Sequence, residues 1–169
     1  GSGLKGLVAT SSKQDALAYQ HYLDATGLVS TAVLISAPDG NEPDVQAWWQ
    51  RTVGPRADEY ERRVLNRFAM PGELDLLIVV DRLLTGFDQP RAGVLYLDKS
   101  LQQHGLIQAI ARVNRLHDEK THGLIIDYRG LLHSLDIALA AYRELEQAQA
   151  YDEADLQGLV QSCASQYAR

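Results

Sequence analysis

The sequence predicts an α/β protein: a three-layer α/β/α sandwich on a mostly parallel sheet, with a helical extension at its C-terminal end. Three observations carry this. Short apolar runs alternate with amphipathic segments in the order β-α-β-α-α-β-loop-β-α-β-α, the alternation of a sheet crossed by helices. One run, LDLLIVVD at Leu74–Asp81, is apolar without a break, as a strand covered on both faces must be. The chain has 169 residues, 46% of them hydrophobic and 22% charged, enough for one domain with a substantial core.

The elements follow in order. Lys5–Thr10 (KGLVAT) reads as a short buried strand. The next stretch, to Gly27, reads as a helix. Ser12 with Asp15 has the spacing of a capping box, and Ala16, Tyr19 and Leu23, beside Ala18 and Tyr22, form its apolar stripe. Gly27 can take the left-handed conformation that stops it. Thr31–Ser36 is a second strand, and APDGNEP after it is turn chemistry. Asp44–Thr52 is a short helix ended by GPR. Ala57–Met70 is a stronger one, with Tyr60, Val64 and Phe68 on one face. After Leu74–Asp81, Ala92–Asp98 is a strand, Leu101–Leu116 a helix and His122–Tyr128 a last strand. Leu131–Ala150 reads as a long helix, and Asp152–Ser165 as one more.

Composition narrows the function. A net charge of −6 excludes a uniformly basic nucleic-acid-binding surface but leaves room for a local basic edge. The single cysteine, Cys163, excludes an internal disulfide and fits a reducing compartment. No apolar run reaches the ~20 residues of a membrane span, and no secretion signal is visible. The opening GSG reads as an expression-tag scar (1–3) on an excised fragment. The sandwich is expected over residues 4–143 and the helical extension over 144–169. The five histidines lack ligand spacing, so no metal site is expected; His117 and His122 read as solvated. Trp48 and Trp49 read as packing residues rather than base-stacking ones.

Ligands of such sheets bind beyond the carboxyl ends of the strands. That directs attention to the loops after Thr10, Ser36, Asp81, Asp98 and Tyr128. The richest is Asp81–Pro90 (DRLLTGFDQP). Thr85 offers a hydroxyl, Gly86 lets a ligand approach the backbone, Asp88 can accept from a ribose or an arginine, and Pro90 stiffens the exit. A plain ordered turn, with Asp88 capping free amides, would use the same residues, and the loop alone does not choose. In the helix that follows the next strand, Leu106, Ile110 and Val113 share one face, while Gln108, Arg112 and Arg115 share the other. Two guanidiniums in a row suit phosphate, which they grip bidentately. An isolated helix would equally carry such arginines on a solvated face. Their alignment behind a strand-end loop favours phosphate, with loop and helix expected at one edge of the sheet. Thr10, Ser11 and Ser12 could bind phosphate or simply cap the first helix. Asp98 and Lys99 read as a surface pair of small energetic weight.

Taken together, LLTGFDQP, YLDKSLQQHGLIQAIARVNR and GLIIDYRG closely resemble the motor region of the R (restriction, DNA-translocating) subunit of type I restriction-modification enzymes. The likeness runs from Leu4 to about Ala141 and is to the second RecA-like domain of that superfamily 2 helicase motor. TGFD resembles motif V, QAIARVNR motif VI, and LVATSSKQDALAY stands in the place of motif IV. The resemblance implies a RecA-like helicase C-terminal domain that shares an ATP site with a preceding domain. In it, Arg112 and Arg115 match arginine fingers, Gln108 the motif VI glutamine, and Gly86 and Asp88 positions near the ribose and the finger. Thr85, Thr10 and Ser11 match positions that touch the DNA backbone. It implies ATP and Mg2+ as cofactors of the whole protein, none of them held tightly by this chain alone. It implies as partners the first RecA-like and nuclease domains, duplex DNA, and methyltransferase and specificity subunits, in the cytoplasm. The chain lacks a G-x-x-x-x-G-K-[ST] phosphate loop and is expected to be inactive by itself. Another superfamily 2 remodeller, or a non-catalytic α/β binding module, are the competing readings.

Overall fold

A computed structural model describes residues 3–80, 89–101, 103–114 and 120–131, with the backbone alone at Gln103, His104 and Arg112. The chain runs β1 (Lys5–Thr10), α1 (Lys13–Thr26), β2 (Thr31–Leu34), α2 (Pro43–Thr52), α3 (Ala57–Ala69), β3 (Leu76–Val79), β4 (Ala92–Asp98), α4 (Gln103–Val113) and β5 (Leu124–Asp127). The strands form one sheet in the order β2-β3-β1-β4-β5. Every pairing is parallel. The expected long helices over Leu131–Ala150 and Asp152–Ser165 lie outside the described residues.

Direction within the sheet decides the layers. The α1 crossover moves from β1 towards β2, and the α4 crossover moves the opposite way, from β4 to β5. Both right-handed, these place α1 and α4 on opposite faces. The α2–α3 crossover shares α4's sense and hence its face. Residues Leu7, Leu77 and Leu95 stand in register across the three central strands and are fully buried on one face. Val8, Ile78 and Tyr96 alternate to the other. There Val8, Leu76 and Tyr96 line a cleft of about 240 Å³ with Tyr19 and Leu23 of α1 and with Val29 and Tyr128.

Local chemistry sets the element ends. Ser12 Oγ accepts from the Asp15 amide at the start of α1, and Gly27, at φ 64°, closes it with its N–H on the Asp24 carbonyl. Strand β3 begins at Leu76, later than expected, and just before it the Asp75 carboxylate accepts from the Ser30 amide (2.8 Å) and hydroxyl (2.7 Å). Those bonds hold the Asp75 carboxyl below its usual range. At the amino end of β1, Lys5 is buried. Its Nζ donates to the carbonyls of Met70 (2.7 Å) and Leu74 (2.6 Å) and sits 5.9 Å from the centre of the Phe68 ring. Two carbonyls left free between α3 and β3 thus receive a cation, whose pKa burial lowers.

The outer edge of β2 is blunted by α3. The buried Tyr60 hydroxyl donates to the Val33 carbonyl (2.8 Å), and its ring meets Trp48 edge-on at 6.3 Å. Trp48 is accordingly a core residue, as its sequence context indicated. Tyr60→Phe keeps the ring and strands one buried carbonyl, so it should cost about 1 kcal/mol in urea unfolding. Phe68→Ala, which empties a fully buried site, should cost about 3–5 kcal/mol. Equal midpoints for wild type and Tyr60→Phe would refute the edge bond.

Candidate functional site

At the carboxyl end of the sheet, polar side chains from four elements meet. Thr10 is fully buried, and its hydroxyl faces the carbonyls of Val79 (3.2 Å) and Ser12 (3.1 Å). It therefore ties β1 to β3 and to the start of α1. Ser11 is exposed. Its hydroxyl donates to the Asp98 carbonyl (2.9 Å) and accepts from Arg129 Nη2 (3.3 Å).

Asp98 and Lys99 do not form the surface pair expected from sequence. Asp98 accepts from Tyr19 Oη (2.8 Å) and pairs with Arg129 Nε (2.7 Å). Lys99 Nζ reaches the Val80 carbonyl (3.1 Å), the last described residue before segment 81–88. Neither Asp98's partners nor the role of Arg129 was found from sequence. The available signal was the apposition of β4 and β5, whose Leu97↔Asp127 register sets Arg129 beside Asp98. Arg129 is also steered by its own amide, which donates to Asp127 Oδ1 (2.8 Å). Lys13 fastens the start of α1 to the loop after β2 through the Ala37 carbonyl (2.8 Å) and the Asp39 carboxylate. The result is a rim carrying an exposed serine and a half-exposed, oriented guanidinium.

At the amino end a second group assembles. Helix α4 starts beyond the carboxyl end of β4 and runs back along it, about 16 Å for its eleven residues. Lys120 Nζ donates to the carbonyl of Val113, the last residue of α4 (2.8 Å). It also donates to that of Ala92, the first residue of β4 (2.7 Å). The buried Gln89 folds beside them, its carbonyl accepting from Ala92 N–H (3.0 Å) and its Oε1 from Arg91 N–H (3.2 Å). Leu106, Ala109, Ile110 and Val113 are buried and Gln108 is partly exposed, in agreement with the two faces read from the sequence.

Residues 81–88 of the loop and Arg115 lie outside the described residues, and with them the expectation of one edge shared by loop and helix. The backbone of Arg112 lies at the amino end of the sheet, whereas Thr10 and Ser11 lie at the carboxyl end. A helix linking parallel strands must return antiparallel, so its last turn finishes at the opposite end from where it began. Gln89 lies at the amino end as well; Thr85, Gly86, Asp88 and Arg115 lie outside the described residues. Among the described residues no cluster of His, Cys, Asp and Glu suits a metal ion, and His122 Nδ1 meets the Thr121 hydroxyl (2.9 Å). No helix among them is long and apolar enough to cross a membrane.

Burial, then the hydrogen bond to Asp98, pushes the Tyr19 phenol up to about 12. The phenol keeps its proton longer in the folded chain than its ordinary value of 10.0 would allow. Its contribution to stability is full below pH 10.0 and is lost as pH rises towards about 12. Tyrosinate absorbance should show a late-ionising phenol that Tyr19→Phe removes. Asp98→Ala should lower its pKa only in part, because burial is the larger cause. A wild-type titration with every phenol ionised by about pH 10 would contradict the bond.

Residues 45–130, half of the chain, match the family model described as type I restriction enzyme subunit R domain 3. A putative type I restriction enzyme endonuclease subunit, MjaVIIP, of Methanocaldococcus jannaschii is 49% identical over 78 residues. These are 46% of this chain and 7% of that relative. The HindI endonuclease subunit of Haemophilus influenzae is 46% identical over 87 residues, 48% of this chain and 8% of the relative. The matched stretch is thus under a tenth of either relative's length. Among solved structures, the C-terminal domain of S. cerevisiae Dbp5 superposes with a TM-score of 0.54 at 14% identity, covering 83% of this chain and 70% of that one. The C-terminal part of the Fun30 ATPase domain gives 0.51 at 14% identity, covering 80% and 38%. The fold is that of a RecA-like helicase C-terminal domain.

Proposed function

The chain belongs to the type I restriction enzyme subunit R domain 3 family, and we propose that it serves there as the second RecA-like half of an ATP-driven DNA translocase. The observation that carries this is the family match over residues 45–130, which takes in the Asp81–Pro90 loop, Arg112 of α4 and Arg115 beyond it. In this reading a preceding domain brings the phosphate loop and the magnesium-holding acidic residues, and ATP sits between the two domains. Arg112 and Arg115 complete the site as arginine fingers, Gln108 orders their face, and Gly86 with Asp88 lies by the ribose and the finger.

Geometry supports that division. Helix α4 buries Leu106, Ile110 and Val113, and Arg112 follows the partly exposed Gln108 at the four-residue spacing of one helix face. Asp88 adjoins Gln89, whose neighbour Ala92 is joined to Val113 through Lys120. Gln89, at the exit of the loop, and the last turn of α4 therefore meet at the amino end of the sheet. An arginine there offsets charge spread over the transferring phosphoryl oxygens, an effect of about 10³ to 10⁵ in rate. Because finger and phosphate loop sit on separate domains, hydrolysis depends on their closure.

The carboxyl-end rim takes the DNA backbone. Ser11 is the exposed hydroxyl there and Arg129 the oriented cation, and Thr85 is assigned to the same backbone contact by its place in the TGFD motif. Thr10, whose hydroxyl faces two carbonyls, acts by holding that edge together. A chain of net charge −6 can do this because only a rim meets phosphates. Nuclease, methyltransferase and specificity partners, and a cytoplasmic setting, follow from the R-subunit context.

In a full-length R subunit carrying this sequence, Arg112→Ala and Arg115→Ala should each lower DNA-stimulated ATP turnover by about 10³ or more with unchanged thermal midpoints. Near-wild-type turnover in both would remove the finger assignment. The present chain alone should bind ATP too weakly for calorimetric titration to resolve; micromolar, magnesium-dependent binding would contradict a shared site.

A further inference from the structure

The end of α4 is held by more than its own hydrogen bonds. Lys120 Nζ lies between two carbonyls from distant parts of the chain, Val113 at the last turn of α4 and Ala92 at the first residue of β4. A helix C-terminus exposes carbonyls without intrahelical partners and carries partial negative charge, so a cation is favoured there twice over. Beside it, Gly123 lets β5 begin against the helix end: a Cβ on Gly123 would come within 2.4 Å of the Val113 carbonyl oxygen. The Gly123 amide donates to Asn114 Oδ1 (3.3 Å), and the Asn114 amide to the Ile110 carbonyl (3.1 Å).

We infer that Lys120 is a positioning residue for ATP hydrolysis: it ties the end of the arginine-bearing helix to the exit of the Asp81–Pro90 loop. Its two acceptors flank the two segments that matter. Val113 follows Arg112 directly and precedes Arg115 by two residues, while Ala92 stands three residues beyond Gln89, the neighbour of Asp88. One ammonium group thereby sets the spacing between the two. The inference rests on the finger reading of Arg112 and Arg115 and names what holds them in place. Lys120 touches no nucleotide in this account; it acts through the backbone. A displacement of about 1 Å at such a site can cost about 10²-fold in rate.

The test uses a full-length R subunit with Lys120→Met, Lys120→Arg, Arg112→Ala and the double variant Lys120→Met/Arg112→Ala. DNA-stimulated ATPase is read as kcat and KM, alongside thermal midpoints. Lys120→Met should lower kcat by about 10- to 100-fold with KM for ATP within about threefold. Lys120→Arg, which keeps charge and donors, should recover much of the loss. In the Arg112→Ala background the methionine should cost far less than it does alone, because both variants remove the same finger geometry. If Arg112→Ala slows turnover while folded Lys120→Met does not, the positioning role is wrong and the finger reading survives. If Arg112→Ala itself leaves turnover intact, the finger reading fails first. Should Lys120→Met not fold, the inference rests on Lys120→Gln, which keeps donors but loses the charge and the reach of the lysine. An intermediate kcat that is not additive with Arg112→Ala supports it, and full additivity overturns it.

Discussion

Every strand of the sheet points the same way, and that constraint organises the molecule. Each connection must bring the chain from the carboxyl end of one strand to the amino end of the next. The chain therefore crosses the sheet's length four times between described strands, and residues close in sequence separate to opposite ends. Helix α4 shows the consequence. It leaves Asp98 and Lys99 at one end and delivers Val113 to the other, beside Ala92. A parallel sheet thus presents two ends, and the candidate residues divide between them: Thr10, Ser11 and Arg129 at one, the Arg112 backbone and Gln89 at the other.

Both ends are held by charged side chains satisfying main-chain carbonyls. Lys5 bridges Met70 and Leu74, Lys120 bridges Ala92 and Val113, Lys99 takes Val80 and Lys13 takes Ala37. In each case a lysine fastens a helix end or strand end to a second element. This is economical in a chain whose strands are only four to seven residues long. Short strands leave many terminal carbonyls unpaired, and a long flexible cation can reach two at once.

Local signals made much of this legible. β1 and β4 have the bounds read from their apolar runs, and the buried face of α4 follows its period of Leu106, Ile110 and Val113. Trp48 packs where a tryptophan on an amphipathic helix should. What the sequence hid is whatever depends on non-neighbours. Nothing near Lys5 marks it as buried, because its partners are some seventy residues away at Met70 and Leu74. β3 begins at Leu76 rather than Leu74, beside the Lys5 and Ser30 contacts of Leu74 and Asp75, which no propensity encodes. Arg129 meets Asp98 because β5 lies beside β4, and Lys120 meets carbonyls of two separate elements, so no local pattern marks either. Spacing within a helix likewise tells which residues share a face, not which end of the sheet that face reaches.

The central claim is that nucleotide and DNA engage opposite ends of this domain. Hydrogen exchange on a full-length R subunit carrying this sequence, with a non-hydrolysable ATP analogue alone and with duplex DNA alone, tests it most directly. The account predicts nucleotide-dependent protection at residues 110–115 and DNA-dependent protection at residues 10–13 and 127–130. Nucleotide protection confined to residues 10–13, or both ligands protecting the same end, would contradict it.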